Sequence, residues 1–489
     1  MSRKPNSSPK KYTGLKVVLI LLIIAMIAAT GFLITLCIGI ADSTPAPTAG
    51  ANSSLTLPTI ESRPEETEAP PETTMPEPEH VVSTATIAST GDILMHLPVV
   101  NSGKQNDGSY NFDMIFQYLS EYTSAADFAV ANLETTLAGT DNGYEYSGYP
   151  MFNCPDEIVD SVKTAGFDML LTANNHSYDT SLVGYKRTIE VVREKGLANL
   201  GTMLTDEEPK YTIQQINGIN VGMLCYTYAT SVNEQGCPSL NGMPKIAEYG
   251  LCNYFYNGNL PAFYNEVETY LAEMKEAGAE ATILYIHWGV EYILSANDEQ
   301  KAISQKLCDL GVDVIIGGHP HVIQPVDMLT STTDPDHKTV CLYSMGNAVS
   351  NQRLGNLSNV ATAHTEDGLL FNVTFEKYSD GTVHLQGVDI LPCWVFMDAT
   401  GYPNVYQILP LDQNTVDEWG TKYDISNATV NAANNSYART MGIVGEGLTE
   451  VQEYLARQKE DREQYYYDLV FNPDKLAAEE TVPATEEAA

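Results

Sequence analysis

Between about residues 83 and 392, short apolar runs of β type alternate with longer amphipathic stretches. This is the pattern of a sheet whose strands are joined through helices, an α/β fold class. Strands are predicted at 84–89, 128–132, 169–172, 221–227, 282–286, 312–316 and 340–344. Helices are predicted at 155–165, 182–195, 261–277 and 298–310, and each is followed at once by a glycine: Gly166, Gly196, Gly278 and Gly311. Glycine there stops a helix because it adopts the left-handed conformation without a Cβ clash. A β-rich stretch at 369–391 is expected to close the sheet with antiparallel strands. A later helix, about 446–469, carries Leu448, Val451 and Leu455 at core-facing spacing and is expected to pack on the domain.

The ends of the chain follow other patterns. Residues 17–41 form an uncharged apolar run, long enough to cross a bilayer core of about 30 Å. Arg3, Lys4, Lys10, Lys11 and Lys16 precede it and Asp42 follows. The positive-inside rule therefore places residues 1–16 in the cytoplasm and the main domain outside, on a single-pass anchor in the cell membrane's lipid bilayer. A cleaved signal peptide is the rival, but its apolar core runs only ~7–15 residues. Cys37 follows the bulky Leu36 and reads as a residue of the span, not an acylation site. Residues 42–81 are rich in Pro, Thr, Ser and Glu without apolar periodicity, so they read as a disordered spacer. The folded domain is placed at 82–400, a C-terminal extension at 401–475 and a disordered acidic tail at 476–489.

Charge narrows the partners. With 63 acidic and 26 basic residues the formal charge is −37, which argues against nucleic acid and attracts cations. Seven cysteines lie beyond the span, an odd number without C-x-x-C spacing. Cys225, Cys308 and Cys341 read as small buried hydrophobes, while Cys237 and Cys252 fall in an irregular segment where they could pair.

The chemistry gathers after the strands. Asp92 follows the first, Asn132 and Glu134 the second, Asn174, Asn175 and His176 the third, with Asp179 beyond. His287 and Glu291 follow the fifth, His319 and His321 the sixth, and Asn347 the seventh. Open α/β sheets bind ligands at the carboxyl ends of their strands, so parallel strands would bring these groups together. Carboxylates, imidazoles and an amide oxygen suit divalent Zn, Mn or Fe. Two such ions about 3.5–4 Å apart clamp attacking and leaving oxygens and lower the pKa of a water, without any Ser or Cys nucleophile.

The ordered set G-D, N-L-E, N-N-H, H-W-G-x-E, G-H-P-H and S-M-G-N, from Gly91 to Asn347, resembles the CapA family, a branch of the calcineurin-like metallophosphoesterases. The resemblance covers about 83–392. It implies a four-layer α/β/β/α sandwich with two divalent metal ions. It makes Asp92 a ligand of the first metal, Glu134 the bridging carboxylate, Asn175 and His287 ligands of the second with His319 beside them, and His321 the completion of the first. It makes His176 the general acid, with Asn347 lining the site. Two positions depart from the wider superfamily: Leu94 stands where a first-motif His is usual, and Glu134 where Asp is usual. His96 or Glu291 is then the candidate to replace the missing imidazole.

The resemblance implies a metal-dependent hydrolase, phosphoesterase-like, in capsule or poly-γ-glutamate production or export. The rival is a non-catalytic subunit that binds the anionic envelope polymer, or its membrane synthase, through the same cleft. Because like charges repel, polymer binding would call for a basic rim, for which Lys186, Arg187 and Arg353 are candidates. Plainer readings stand beside these. His337, His364 and His384 read as structural, Asp179 as a cap for the following helix, and Glu291 as a partner orienting a His. His96 reads as a substrate contact or an ordinary surface residue. The aromatic loop at 144–152 reads as a lid, a substrate platform or tyrosine packing.

Overall fold

The computed structural model describes residues 77–141, 143–243, 251–356 and 362–479. The predicted anchor, nearly all of the spacer and the end of the tail lie outside them. Among the described residues no helix is long and apolar enough to cross a membrane.

All seven predicted strands are present, and they form two parallel sets. In an eight-stranded sheet, Val81–Ile93, Phe128–Leu133, Met169–Leu171 and Ala198–Leu200 run parallel. Asp367–Tyr378, Val383–Asp398 and Val405–Pro410 extend that sheet antiparallel. In a seven-stranded sheet, Ile219–Tyr228, Ala281–His287, Val314–Gly318 and Lys338–Met345 run parallel. Ile323–Thr330 and Thr212–Ile216 flank that set antiparallel.

Side-chain alternation along the strands explains the layering, because successive residues point to opposite faces. Ile87, Val130, Met169 and Leu171 from the first sheet meet Met223, Cys225, Ile283 and Tyr285 from the second in one core. Their neighbours Ala88, Ala129, Ala131 and Leu170 face outward onto Ile158, Val162 and Val192, from the helices Glu157–Thr164 and Ser181–Glu194. On the far side Leu224, Tyr226, Leu284 and Ile286 pack on Phe263, Val267, Ile303 and Leu307, from the helices Leu260–Glu276 and Asp298–Asp309. Helices therefore cover the outer faces of two stacked sheets.

Four expectations are corrected. The late helix starts far earlier than predicted, spanning Asn427–Phe471, with Ser426 Oγ accepting from Thr429 N at 3.2 Å as its cap. Asn, Gly, Ser and Thr dilute its first half, so local propensity hides it. Tertiary contacts make up the difference: Ala433, Thr440 and Val444 are buried, and Arg439 Nη2 lies 2.5 Å from Asp367. The boundary at 400 falls inside the hairpin that joins Val383–Asp398 to Val405–Pro410, so the extension supplies an edge strand. The acidic tail begins as a helix, Pro473–Glu479, braced by Lys475 on Asp468 at 2.5 Å. Cys237 and Cys252 are both free and buried, like the other five.

Candidate metal centre

The carboxyl ends of the parallel strands in both sheets open on one edge, and the polar residues predicted there meet across the sandwich. A Cβ on Gly91 would lie 1.9 Å from the carbonyl oxygen of Gly346. Only glycine therefore lets the first strand approach that turn, where Asp92 N donates to Gly346 O at 3.1 Å. The contact sets Asp92 beside both Asn132 and Asn347. Asn132 Nδ2 donates to Asp92 Oδ1 at 2.7 Å, and His321 Nδ1 lies 3.1 Å from Asp92 Oδ2 and 3.2 Å from Asn347 Oδ1.

Glu134 sits at the centre. It is fully buried, and neither carboxylate oxygen has a hydrogen-bond partner. Its Oε1 lies 3.5 Å from His287 Nε2 and 3.8 Å from His321 Nε2, beyond ordinary hydrogen-bond lengths. Two triads share this residue, Asp92–Glu134–His321 and Glu134–His287–His319, each with its ligand atoms within 4.8 Å of one another. Asn175 Oδ1 lies 2.8 Å from His287 Nε2. Nδ1 of the buried His319 also lacks a partner.

A buried carboxylate without hydrogen bonds or a cation is costly, and no Lys or Arg among the described residues pairs with Asp92 or Glu134. An unpartnered imidazole nitrogen beside it makes the same demand. These orphaned atoms and the N/O donor set fit divalent cations.

The electrostatics agree. Burial lowers the His319 ring well below its ordinary pKa, and His287, His321 and His176 add to this, so it stays neutral as a ligand must be. Burial works against charge on His321, but Glu134, Asp92 and Glu291 outweigh it and push the ring up to about 9. Burial likewise opposes charge on Asp92, yet the hydrogen bond and charge of His321 hold its carboxyl below the usual value. His319 and His321 also have positive φ, 95° and 55°, a conformation that side chains rarely adopt outside sites where the surroundings impose it.

These observations reach beyond local geometry to kinship. The model of the family described as "Bacterial capsule synthesis protein PGA_cap" matches residues 86–352, more than half of the chain. The chain belongs to this family. The match takes in every candidate from Asp92 to Asn347. Two curated members are similar to it. The PGA biosynthesis protein CapA of Bacillus subtilis (strain 168) is 27% identical over 348 residues, covering 69% of this chain and 82% of that protein. The capsule biosynthesis protein CapA of Bacillus anthracis is 27% identical over 349 residues, covering 69% and 76%.

Other family-motif residues surround the ligand atoms. Asn174 ties loops together, donating to Asn132 Oδ1 at 3.2 Å and to Leu133 O at 2.8 Å. Asn347 Nδ2 donates to Gln352 Oε1 and Thr365 O, both at 3.0 Å. Glu291 is exposed, and it forms a third group within 4.8 Å with His319 and His321. Leu94 is buried. His96 is half-buried at the rim, where its Nδ1 accepts from Asn351 N at 3.3 Å. His337 and His384 bond Val312 O and Thr382, and His364 lies 3.7 Å from Asp367.

One reading is corrected. Asp179 does not cap the next helix, whose N-cap is Thr180 and makes no side-chain cap bond. Asp179 Oδ2 lies 2.7 Å from His176 Nδ1 and also accepts from Phe152 N at 2.7 Å. Phe152, at the end of the aromatic loop 144–152, meets the His176 ring edge-on at 4.7 Å. Two further aromatic walls were not foreseen: Tyr228 lies 4.8 Å from His319, and Tyr292 lies 6.2 Å from His321. Tyr228 stands just past the predicted strand 221–227 and Tyr292 just past Glu291, but the histidine each meets is distant in sequence, and no local pattern shows the contact.

Proposed function

We propose that this chain is a metal-dependent hydrolase of the phosphoesterase type, with the calcineurin-like metallophosphoesterase fold. On this reading the 17–41 segment holds it outside the membrane, where it serves production or export of capsule polymer or poly-γ-glutamate. The observation that carries the reading is Glu134, a buried carboxylate with both oxygens unpartnered at the shared corner of two ligand triads. The printed names of the two relatives support the polymer context.

Asp92, Glu134 and His321 would hold one divalent ion. Glu134, His287 and His319 would hold another, with the Asn175 oxygen at hand. When bound, such a pair supplies Lewis acidity and an acidified water. The chain's own residues do the rest. Asp179 accepts from His176 Nδ1, so the protonated ring is the form that gives a leaving oxygen the proton on Nε2. Burial of the ligands keeps the field strong where charge develops.

The non-catalytic, polymer-binding alternative calls for a cationic rim. Two of its candidate cations are already engaged: Arg187 makes two hydrogen bonds of 2.7 Å to Asp156, and Arg353 is buried against Glu366 at 2.7 Å. Elemental analysis of the full chain, purified without chelators, separates the readings. About two equivalents of transition metal, lost in Glu134→Ala and His319→Ala, support the hydrolase. A metal-free wild type would overturn it and leave a subunit that binds the polymer or its synthase.

A further inference from the structure

Beside the metal centre runs an open groove of about 400 Å³, lined by His96, Leu97, Pro98, Tyr146, Tyr149 and Met151 among others. No lining residue is Asp, Glu, Lys or Arg. The wall is unusually apolar for a surface: Leu97 is 44% exposed, Tyr149 76% and Met151 47%. Contiguous exposed apolar side chains mark places where something binds. The loop is built onto His96 and Leu97, since a Cβ on Gly148 would come within 2.5 Å of Leu97 N.

A chain of ring contacts links the groove wall to the chemistry. The His96 ring meets Phe152 edge-on at 5.2 Å, and Phe152 meets His176 edge-on at 4.7 Å. Asp179 Oδ2 holds both Phe152 N and His176 Nδ1, so the groove loop and the proton carrier share one anchor. The hydrogen bonding of His96 also sets its tautomer. Nδ1 accepts from Asn351 N at 3.3 Å, so the neutral ring carries its proton on Nε2. Burial, with His321 and His176 nearby, lowers its pKa to about 4 against a hydrogen bond to the Leu94 backbone that raises it, and so keeps the ring neutral.

We propose that this groove seats the leaving group of the substrate as an uncharged aliphatic or aromatic body, with His96 Nε2–H donating to an oxygen on it. The proposal rests on the hydrolase reading and narrows it. An anionic chain segment finds no cation among the lining residues, whereas an apolar alcohol finds walls and one donor. His96 is then a substrate-positioning residue and not a metal ligand.

The test uses the full chain loaded with Mn(II) and two esters whose leaving alcohols have similar acidity, methyl phosphate and 2-naphthylmethyl phosphate. The larger ester is expected to have a kcat/KM at least about tenfold higher, from the apolar area it buries. That preference should collapse toward unity in Leu97→Ser/Met151→Ser. His96→Phe keeps the ring packing but loses the donor, and should raise KM for the larger ester about tenfold, whereas His96→Gln should restore most of it. Loss in His96→Phe that is equal for both esters and not rescued by His96→Gln would give His96 a packing role and overturn its part. Fluorescence titration with 2-naphthylmethanol alone reads the groove without turnover, and Met151→Glu should weaken its binding. Equal cleavage of both esters with no alcohol binding overturns the groove and leaves the hydrolase standing. Alcohol binding to a protein that cleaves neither ester keeps the groove as a binding site and overturns its assignment to a leaving group.

Discussion

Two buried carboxylates show how differently this fold treats the same group. Asp367, where the strand Asp367–Tyr378 begins, is 1% exposed and fully answered. Arg439 donates to it from Nε at 2.7 Å and Nη2 at 2.5 Å, and Ser436 Oγ from 2.6 Å. Glu134, equally buried, receives nothing. Both lie in well-packed surroundings, so the contrast is not one of looseness. Where a carboxylate serves the architecture, the long helix supplies a guanidinium. Where one faces three histidines and a second carboxylate, its partners are left out. A site that keeps its ligands unpaired in the protein alone is built for a group that comes from outside.

The largest expected effect breaks the answered side. Arg439→Met leaves Asp367 buried and unpaired and should cost about 3 kcal/mol in chemical denaturation. An unchanged midpoint would show that Asp367 does not depend on its partner, and the contrast would dissolve. Next comes the external partner. A divalent metal at a hundred times its dissociation constant should stabilise the wild type by about 2.7 kcal/mol. Calorimetry should find that gain absent in Glu134→Gln.

A further effect is in pH. His321 has a folded-state pKa raised to about 9 from an ordinary 6.5. Its contribution to the metal-free protein is therefore full below about 6.5 and is lost as pH rises through 9. Metal must displace that proton, so affinity should climb over the same window. Thermal melts in chelator and metal titrations at pH 6.5 and 9 check both signs.

Much of this was legible along the chain. Strands with both faces buried read as near-continuous apolar runs whatever surrounds them, and the placement of Asp92, Glu134, Asn175, His287, His319 and His321 after such runs needed only the rule that ligands gather at strand ends. Helix stops at Gly166, Gly196, Gly278 and Gly311 were equally local. The first half of the helix Asn427–Phe471 was not, because its residues are poor helix formers held by contacts with strands far away.

What the sequence determined by itself was an inventory: which elements form, which polar residues stand at their ends, and which divalent-metal donors they offer. Tertiary structure alone decided how those donors were used. It left Glu134 without a partner, turned Asp179 from a presumed cap into the holder of His176, spent Arg187 and Arg353 on Asp156 and Glu366, and laid an apolar groove against His96. The reason is physical. Propensity and periodicity act within a turn or a strand, whereas whether a buried charge is paired depends on which distant segments the two sheets bring within about 3 Å of it.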